Sequence, residues 1–304
     1  MVSGRPSLLN RGDVAILISG LLWGTVWIPV RALHESDGGG WATLIAFGIA
    51  FGLMVPVIVW QWRACLALGW AWVAIGFFMA AEFLIYTDAL LRGQVARVLL
   101  LFYLLGIWVT LFERLFYGQR MTRERAAAIF LGIGGLAVMV GPDALKGSFS
   151  IADGMAIFAG MLFAIVIMVL NKTADAPTGA RTAAAFVFLL PGFFIVAAFP
   201  GGMDMPTQTP LDRATWGWIW VYAGLWLVAA FWLSFYGSSR TTPGRAAIFF
   251  MMEVVLAAVT ASYLAGETMT TTEIIGAVFI VSAGFVEAVG LGPLSRHLPK
   301  APKS

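Results

Sequence analysis

The sequence predicts an all-α membrane protein of ten transmembrane helices, arranged as two inverted five-helix repeats. Composition is the first observation behind this. Of 304 residues, 60% are hydrophobic and only 12% are charged, with a mean hydropathy of +0.88, outside the range of soluble globular chains. The second is that about two hundred residues fall into ten apolar runs of ~20, the length of a helix crossing a ~30 Å hydrocarbon layer. The third is a recurrence between halves. Because five is odd, a second five-helix unit enters the bilayer from the side opposite the first. Inverted repeats with a site between them are the architecture of alternating-access carriers.

The runs lie near 14–33, 42–61, 69–91, 94–113, 123–141, 151–171, 181–199, 216–237, 244–263 and 273–292, here called spans one to ten. Span one carries Trp23 and Trp27 one turn apart. Gly20 and Gly24 in it, like Gly48 and Gly52 in span two, are small residues four apart that permit close helix packing. Pro29 and Pro56 fall inside these two spans and are candidate hinges. Glu82 stands mid-way along span three, and Glu253 lies within span nine. Turns at Gly118 and Gly266, followed by Thr122 and Thr270 as helix caps, make spans four–five and nine–ten antiparallel hairpins. The first run leads through Pro29 and Arg31 into a further span, so it reads as a membrane helix and not as a cleaved leader.

The halves align at two offsets. Moving by 148 places Arg92, Arg97, Phe102, Gly118, Met121 and Thr122 on Arg240, Arg245, Phe250, Gly266, Met269 and Thr270. Moving by 140 places Asp13, Gly20, Leu22 and Val26 on Asp153, Gly160, Leu162 and Val166. The first repeat therefore covers residues 1–142 and the second, with a short cytoplasmic C-terminal tail, residues 143–304.

Charge sets the expected orientation. With both termini on one side, fourteen of the 19 Lys and Arg residues fall on that side. They are Arg5, Arg11, Arg63, Arg114, Arg120, Arg123, Arg125, Lys172, Arg181, Arg240, Arg245, Arg296, Lys300 and Lys303. The positive-inside rule puts that side in the cytoplasm, so the isoelectric point near 9.2 reflects topology and no nucleic-acid partner. Trp60, Trp62, Trp70 and Trp72 on one face, and Trp216, Trp218 and Trp220 on the other, form interfacial belts. The single Cys65 excludes an internal disulfide.

Several stretches resemble the drug/metabolite transporter superfamily in its ten-helix, EamA-type branch. They are Leu22-Trp23-Gly24, Leu100-Leu101-Phe102-Tyr103-Leu104, and Leu115-Phe116-Tyr117-Gly118-Gln119-Arg120-Met121-Thr122. Glu253 belongs with them, as do Leu264-Ala265-Gly266-Glu267-Thr268-Met269-Thr270, Gly276 and Gly284. Within the branch the chain is most similar to bacterial aromatic amino-acid exporters. The resemblance implies a multi-pass protein of the bacterial inner membrane that exports amino acids, aromatic ones included, and related small amphipathic metabolites. It also implies secondary-active or facilitative transport by alternating access, without a cofactor. The chain departs from the family where proline is common: Gly106 stands in span four and Val254 follows the glutamate of span nine. A proline-made break in either helix is therefore not expected.

The candidate substrate-binding residues are Trp23, Trp27, Phe78, Glu82, Tyr86, Tyr103, Trp108, Phe163 and Glu253. A carboxylate at a helix centre costs ~2.5–3.5 kcal/mol unless it faces a cavity or a partner. Phe78 and Tyr86 lie one turn either side of Glu82, and an aromatic pocket holding a carboxylate suits an ammonium group. The counter-reading makes Glu82 a structural group hydrogen-bonded to a neighbouring helix. Arg97 and Arg245, equivalent by repeat, either carry gate charge or snorkel to the headgroups, the second being the plainer expectation. Two functional alternatives stay open: an organic-cation or drug transporter using Glu82 as its cation or proton site, and a channel. An enzyme is not expected. His34 and His297 are outside the spans, and neither a zinc-binding HExxH nor a nucleophile-elbow GxSxG occurs. The lysines Lys146, Lys172, Lys300 and Lys303 lie at or beyond helix ends, no Walker A loop is present, and no metal site is expected. The partners expected are the solute, the lipid and a second copy of the chain, with the short helices five and ten bracing the assembly or mediating dimer contacts.

Overall fold

The computed structural model describes residues 9–34, 39–93, 95–119, 121–141, 149–198, 211–264 and 269–289. All regular structure among them is helical. Eight helical segments are long and apolar enough to cross a membrane: Arg11–Val30, Trp41–Trp60, Trp70–Leu90, Arg97–Tyr117, Ile151–Lys172, Thr178–Ile195, Arg213–Ser238 and Pro243–Leu264. The remaining expected spans, five and ten, are the 18-residue α8 (Arg123–Val140) and the 19-residue α15 (Thr271–Val289).

Span one is α1 (Arg11–Gly24) followed by α2 (Trp27–His34). The interruption falls at Thr25, the residue whose carbonyl Pro29 leaves without its i+4 donor. Ile28 N–H takes that carbonyl instead at 3.0 Å. Pro56, by contrast, is carried inside an unbroken α3 (Gly39–Trp60). A short α4 (Trp62–Leu68) leads into α5 (Trp70–Arg92), which is span three. Span four is α6 (Val95–Phe102) and α7 (Leu105–Tyr117), spans six and seven are α9 (Ile151–Lys172) and α10 (Thr178–Ala198). Span eight runs as α11 (Arg213–Val221), a π-helical stretch at Tyr222–Ala229 and α12 (Ala230–Ser238). Span nine is α13 (Pro243–Phe250) and α14 (Met252–Leu264).

Packing exchanges partners between the halves. Span one lies against spans eight and nine, whereas span six lies against spans three and four. Both close approaches use glycine. A Cβ on Gly24 would meet Ala257 N and Glu253 O at 2.9 Å, and one on Gly160 would run into the carbonyl oxygen of Phe102. Gly48 and Gly52 have nothing within 4 Å of such a Cβ, so the expectation that they pack a neighbouring helix fails. α8 and α15 pack on each other along their length. There Gly135 meets the Gly276 carbonyl and Gly276 meets Met139, consistent with a bracing pair.

The turn after span four forms as expected. Gly118 adopts the left-handed φ of +65° that ends α7, and Thr122 Oγ1 accepts from Arg125 N–H at 3.2 Å. Thr270 likewise caps α15, accepting from Glu273 N–H at 3.3 Å. Gly266 itself lies outside the described residues, as do Arg120, Lys146, His297 and the C-terminal tail.

Candidate functional site

Spans four and nine are both broken, and at equivalent places. α6 stops at Phe102 and α7 begins at Leu105; α13 stops at Phe250 and α14 begins at Met252. Tyr103 and Met251, in the breaks, are 148 residues apart, the offset that aligns the halves. Neither break contains proline. In span nine Val254 N–H turns back to the Met251 carbonyl at 3.2 Å, and the Phe250 carbonyl accepts from the Tyr103 hydroxyl at 3.1 Å. A side chain from one break thus satisfies a backbone oxygen released by the other. Such a substitute is required where no water is at hand. In span four the Phe102 carbonyl faces the bare Cα of Gly160.

Beside these breaks lies a cavity of about 80 Å³. Its walls come from spans one, three, four, six, eight and nine. Trp23, Glu82, Tyr86, Tyr103, Phe163 and Glu253, six of the nine residues expected from sequence, line it. Phe78 does not: it packs into the core beside Phe77, with ring centroids 5.5 Å apart. The cavity-facing side of α5 runs instead through Met79, Glu82, Phe83 and Tyr86, about a quarter-turn round from Phe78. Trp108 sits beyond the break in span four, 6.3 Å from Phe112 and away from the cavity. The Trp27 side chain lies outside the described residues. Besides Met79 and Phe83, sequence reasoning missed Phe102, Phe231, Ser234, Phe235 and Phe250. A signal existed for Phe102 and Phe250, which align by repeat; none distinguished the phenylalanines of span eight from packing residues.

The rings form a continuous wall. Tyr86 lies 4.5 Å from Phe102, Phe102 stacks on Phe163 at 6.1 Å, and Phe163 meets Phe250 at 5.2 Å. On the other side Trp23 stands edge-on to Phe231 at 5.2 Å, its indole N–H donating to Ser234 Oγ at 3.2 Å. Glu82 is 4% exposed, and its Oε2 has no hydrogen-bond partner among the described residues. Glu253 enters from the other half, near the Tyr103 hydroxyl and within electrostatic reach of Glu82. Among the described residues no lysine or arginine lines the cavity. Among the described residues no group of His, Cys, Asp and Glu is arranged to hold a metal.

Arg97 and Arg245 do not snorkel. Each pairs with an aspartate of the other half, at the start of that half's first helix. Asp13, 0% exposed, takes Arg245 through Nε at 3.1 Å and Nη2 at 2.8 Å, with Thr241 Oγ1 at 2.7 Å and Asn10 N–H at 2.8 Å. Asp153 takes Arg97 Nε at 2.8 Å and Ser150 N–H at 2.7 Å. Both aspartates close a capping box on their helix. The pairs lie at opposite ends of the bundle. Asn171, at the far end of α9 from Asp153, donates to Thr241 O beside Asp13 at 2.8 Å. The 18 residues from Asp153 to Asn171 span ~27 Å, with Phe163 and the cavity between.

Comparison with known proteins agrees with this architecture. The model of the EamA-like transporter family matches residues 10–141 and again residues 150–286. An uncharacterized transporter of Archaeoglobus fulgidus is 28% identical over 277 residues, covering 90% of this chain and 95% of its own. A solved crystal structure superposes with a TM-score of 0.73 over 94% of this chain and 99% of that one; at 18% identity it speaks for the fold alone. Matched twice, over nearly its whole described length, the chain belongs to the EamA-like transporter family.

Proposed function

We propose that this membrane transporter is a secondary carrier, working by alternating access, for small amphipathic solutes that present an aromatic or apolar body and a positively charged amine. The observation that carries this is the pairing of Glu82 and Glu253, one from each half, on one aromatic-walled cavity that no basic residue among those described lines. Two carboxylates in an apolar chamber repel each other. An ammonium between them relieves that repulsion and gains cation–π attraction from the surrounding rings. At about 80 Å³ the chamber is well below the roughly 300–1,000 Å³ of ligand pockets. Seating a solute therefore requires the broken spans to part.

Export of aromatic amino acids, which the family likeness suggests, is the second reading. One feature favours it: the first turn of α14 opens beside Glu253, and the N-terminus of a broken half-helix can receive a carboxylate. The bacterial inner membrane, cytoplasmic termini and outward direction belong to the same proposal and rest on the charge asymmetry and that likeness.

Counterflow in proteoliposomes tests the reading, using phenylethylamine, a quaternary ammonium dye and phenylalanine. Saturable exchange of the amines is expected, reduced by about tenfold or more in Glu82→Gln, since a desolvated charged contact contributes about 1.5–3 kcal/mol. Exchange of phenylalanine alone, unchanged in Glu82→Gln, would transfer the case to amino-acid export. Linear, unsaturable conduction would remove the carrier reading in favour of a channel.

A further inference from the structure

The repeat makes a demand on the packing that the structure meets at only one end. The second half of span four, α7, lies against the first half of span nine, α13. The repeat-equivalent contact joins α14 to α6, at the Asp153 end. Among the described residues no comparable packing joins those two helices. The Asp13 end is therefore shut between spans four and nine, while the Asp153 end is parted.

What shuts it is a specific junction. Glu113, on α7, is 2% exposed at its side chain. It accepts from Arg125 Nη1, at the start of α8, and from Gly244 N–H, at the start of α13, at 3.4 Å. The guanidinium of Arg125 lies against the bare Cα of Gly244, where any Cβ would overlap it. Arg125 Nη2 reaches Thr242 Oγ1 and Glu287 Oε1, each at 3.4 Å. Four spans, four, five, nine and ten, thus meet on one buried ion pair. At the equivalent positions of the other end the sequence has Ala261 for Glu113, Glu273 for Arg125 and Ala96 for Gly244. The acid–base junction has no counterpart there.

We propose that Glu113, with Arg125 seated on Gly244, is a latch that holds the transporter closed at the Asp13 end, and that its one-sidedness sets the resting state. The proposal rests on the alternating-access reading. Binding and the two repeat-related ion pairs, Arg245–Asp13 and Arg97–Asp153, are common to both ends; this junction is not. Opening toward the Asp13 side, the cytoplasm on the charge rule, has to break it. Opening toward the Asp153 side does not. The positioning role of Glu113 is thus separate from the cavity carboxylates, which Glu113 does not join.

Reporter cysteines in a Cys65→Ser background test this in proteoliposomes with a membrane-impermeant maleimide applied from either side. Ala247→Cys reports on the closed end, where Ala247 is fully buried, and Thr87→Cys on α5 reports on the Asp153 side. Glu113→Ala is expected to raise labelling at position 247 by about tenfold and lower it at position 87. Glu113→Gln, which keeps an acceptor for Gly244 N–H but loses the ion pair, should fall between. Gly244→Ala, which displaces the guanidinium without touching a charge, should move both reporters in the same directions as Glu113→Ala. Unchanged labelling at both sites would overturn the latch. So would increased labelling at both, because that marks loosening of the fold and no exchange of open ends. Failure of the underlying carrier reading looks different: in the protein with Glu113 intact, saturating amine would leave both reporters reactive together, with no reciprocal change.

Discussion

Replacing Gly160 by alanine is the sharpest check on how span six holds the break in span four. An added Cβ would overlap the Phe102 carbonyl oxygen and stand 3.2 Å from its carbonyl carbon and 3.5 Å from its Cα. These are backbone atoms and cannot rotate away, so span four must retreat from span six by several tenths of an ångström at least. Overpacking of this kind costs about 1–3 kcal/mol, and contact with rigid backbone belongs at the upper end. Alanine returns about 0.8–1.0 kcal/mol of helix propensity, leaving a net loss of about 2 kcal/mol. Gly154→Ala, two turns earlier on α9, is the internal control: its Cβ meets only the Phe149 ring, at 3.7 and 4.0 Å. It receives the propensity gain without the clash and should be neutral or slightly stabilising. Thermal unfolding of the purified protein in detergent, followed by tryptophan fluorescence, should place Gly160→Ala clearly below the parent and Gly154→Ala at or above it. Equal midpoints for the two variants would refute the close backbone approach and, with it, the geometry assigned to the span-four break.

Tyr103→Phe strips the donor from the Phe250 carbonyl; it should destabilise the fold by about 1–3 kcal/mol, the cost of a buried acceptor left alone, in the same unfolding assay. Asp153→Asn weakens the Arg97 pair and should lower stability and exchange rate together, whereas swapping the charges in Asp153→Arg with Arg97→Asp should restore part of both. Asp212 caps α11 by accepting from Thr215 N–H at 2.8 Å, and those bonds hold its carboxyl below the usual aspartate range. A depressed carboxyl stabilises above its unfolded pKa and loses that contribution as pH falls through the folded one, so the protection of the first α11 amides, taken relative to their intrinsic exchange at each pH, should fall under acid and be insensitive to pH in Asp212→Ala.

Much of this was legible because membrane helices announce themselves by composition and the halves by their turns. The hairpin caps Thr122 and Thr270, the paired Arg97 and Arg245, and the aligned Asp13 and Asp153 could all be read along the chain. What could not be read is who meets whom. Arg245 and Asp13 are far apart in sequence and belong to different halves, so headgroup contact was the simpler expectation until folding brought their helices together. The same limit explains the site. Helical spacing put Phe78 and Tyr86 either side of Glu82, but only the neighbours of α5 decide whether the cavity centres on Phe78 or on Met79. In span eight, Phe231 and Phe235 carry no polar signature, and an apolar ring facing a cavity is spelled like one facing a core.

The breaks in spans four and nine bear most directly on mechanism, because nothing in the local sequence compels them. Proline would make an interruption permanent, since the missing N–H cannot be restored. Here Gly106 and Val254 keep their N–H groups, and each turns back three residues, to Tyr103 O at 3.4 Å and Met251 O at 3.2 Å. The interruption is held from outside, by the Tyr103 hydroxyl on one carbonyl and the glycine surface of span six on the other. A break maintained by tertiary contacts can re-form its helical bond when those contacts shift, at little net cost in hydrogen bonds. The two half-helices on either side of the cavity can then change their relative tilt while the released carbonyls stay covered by protein and away from lipid. A carrier that opens alternately at each end needs hinges with that property, and the cavity carboxylates sit beside them: Glu253 two residues past one break, Glu82 against Tyr86 and the other.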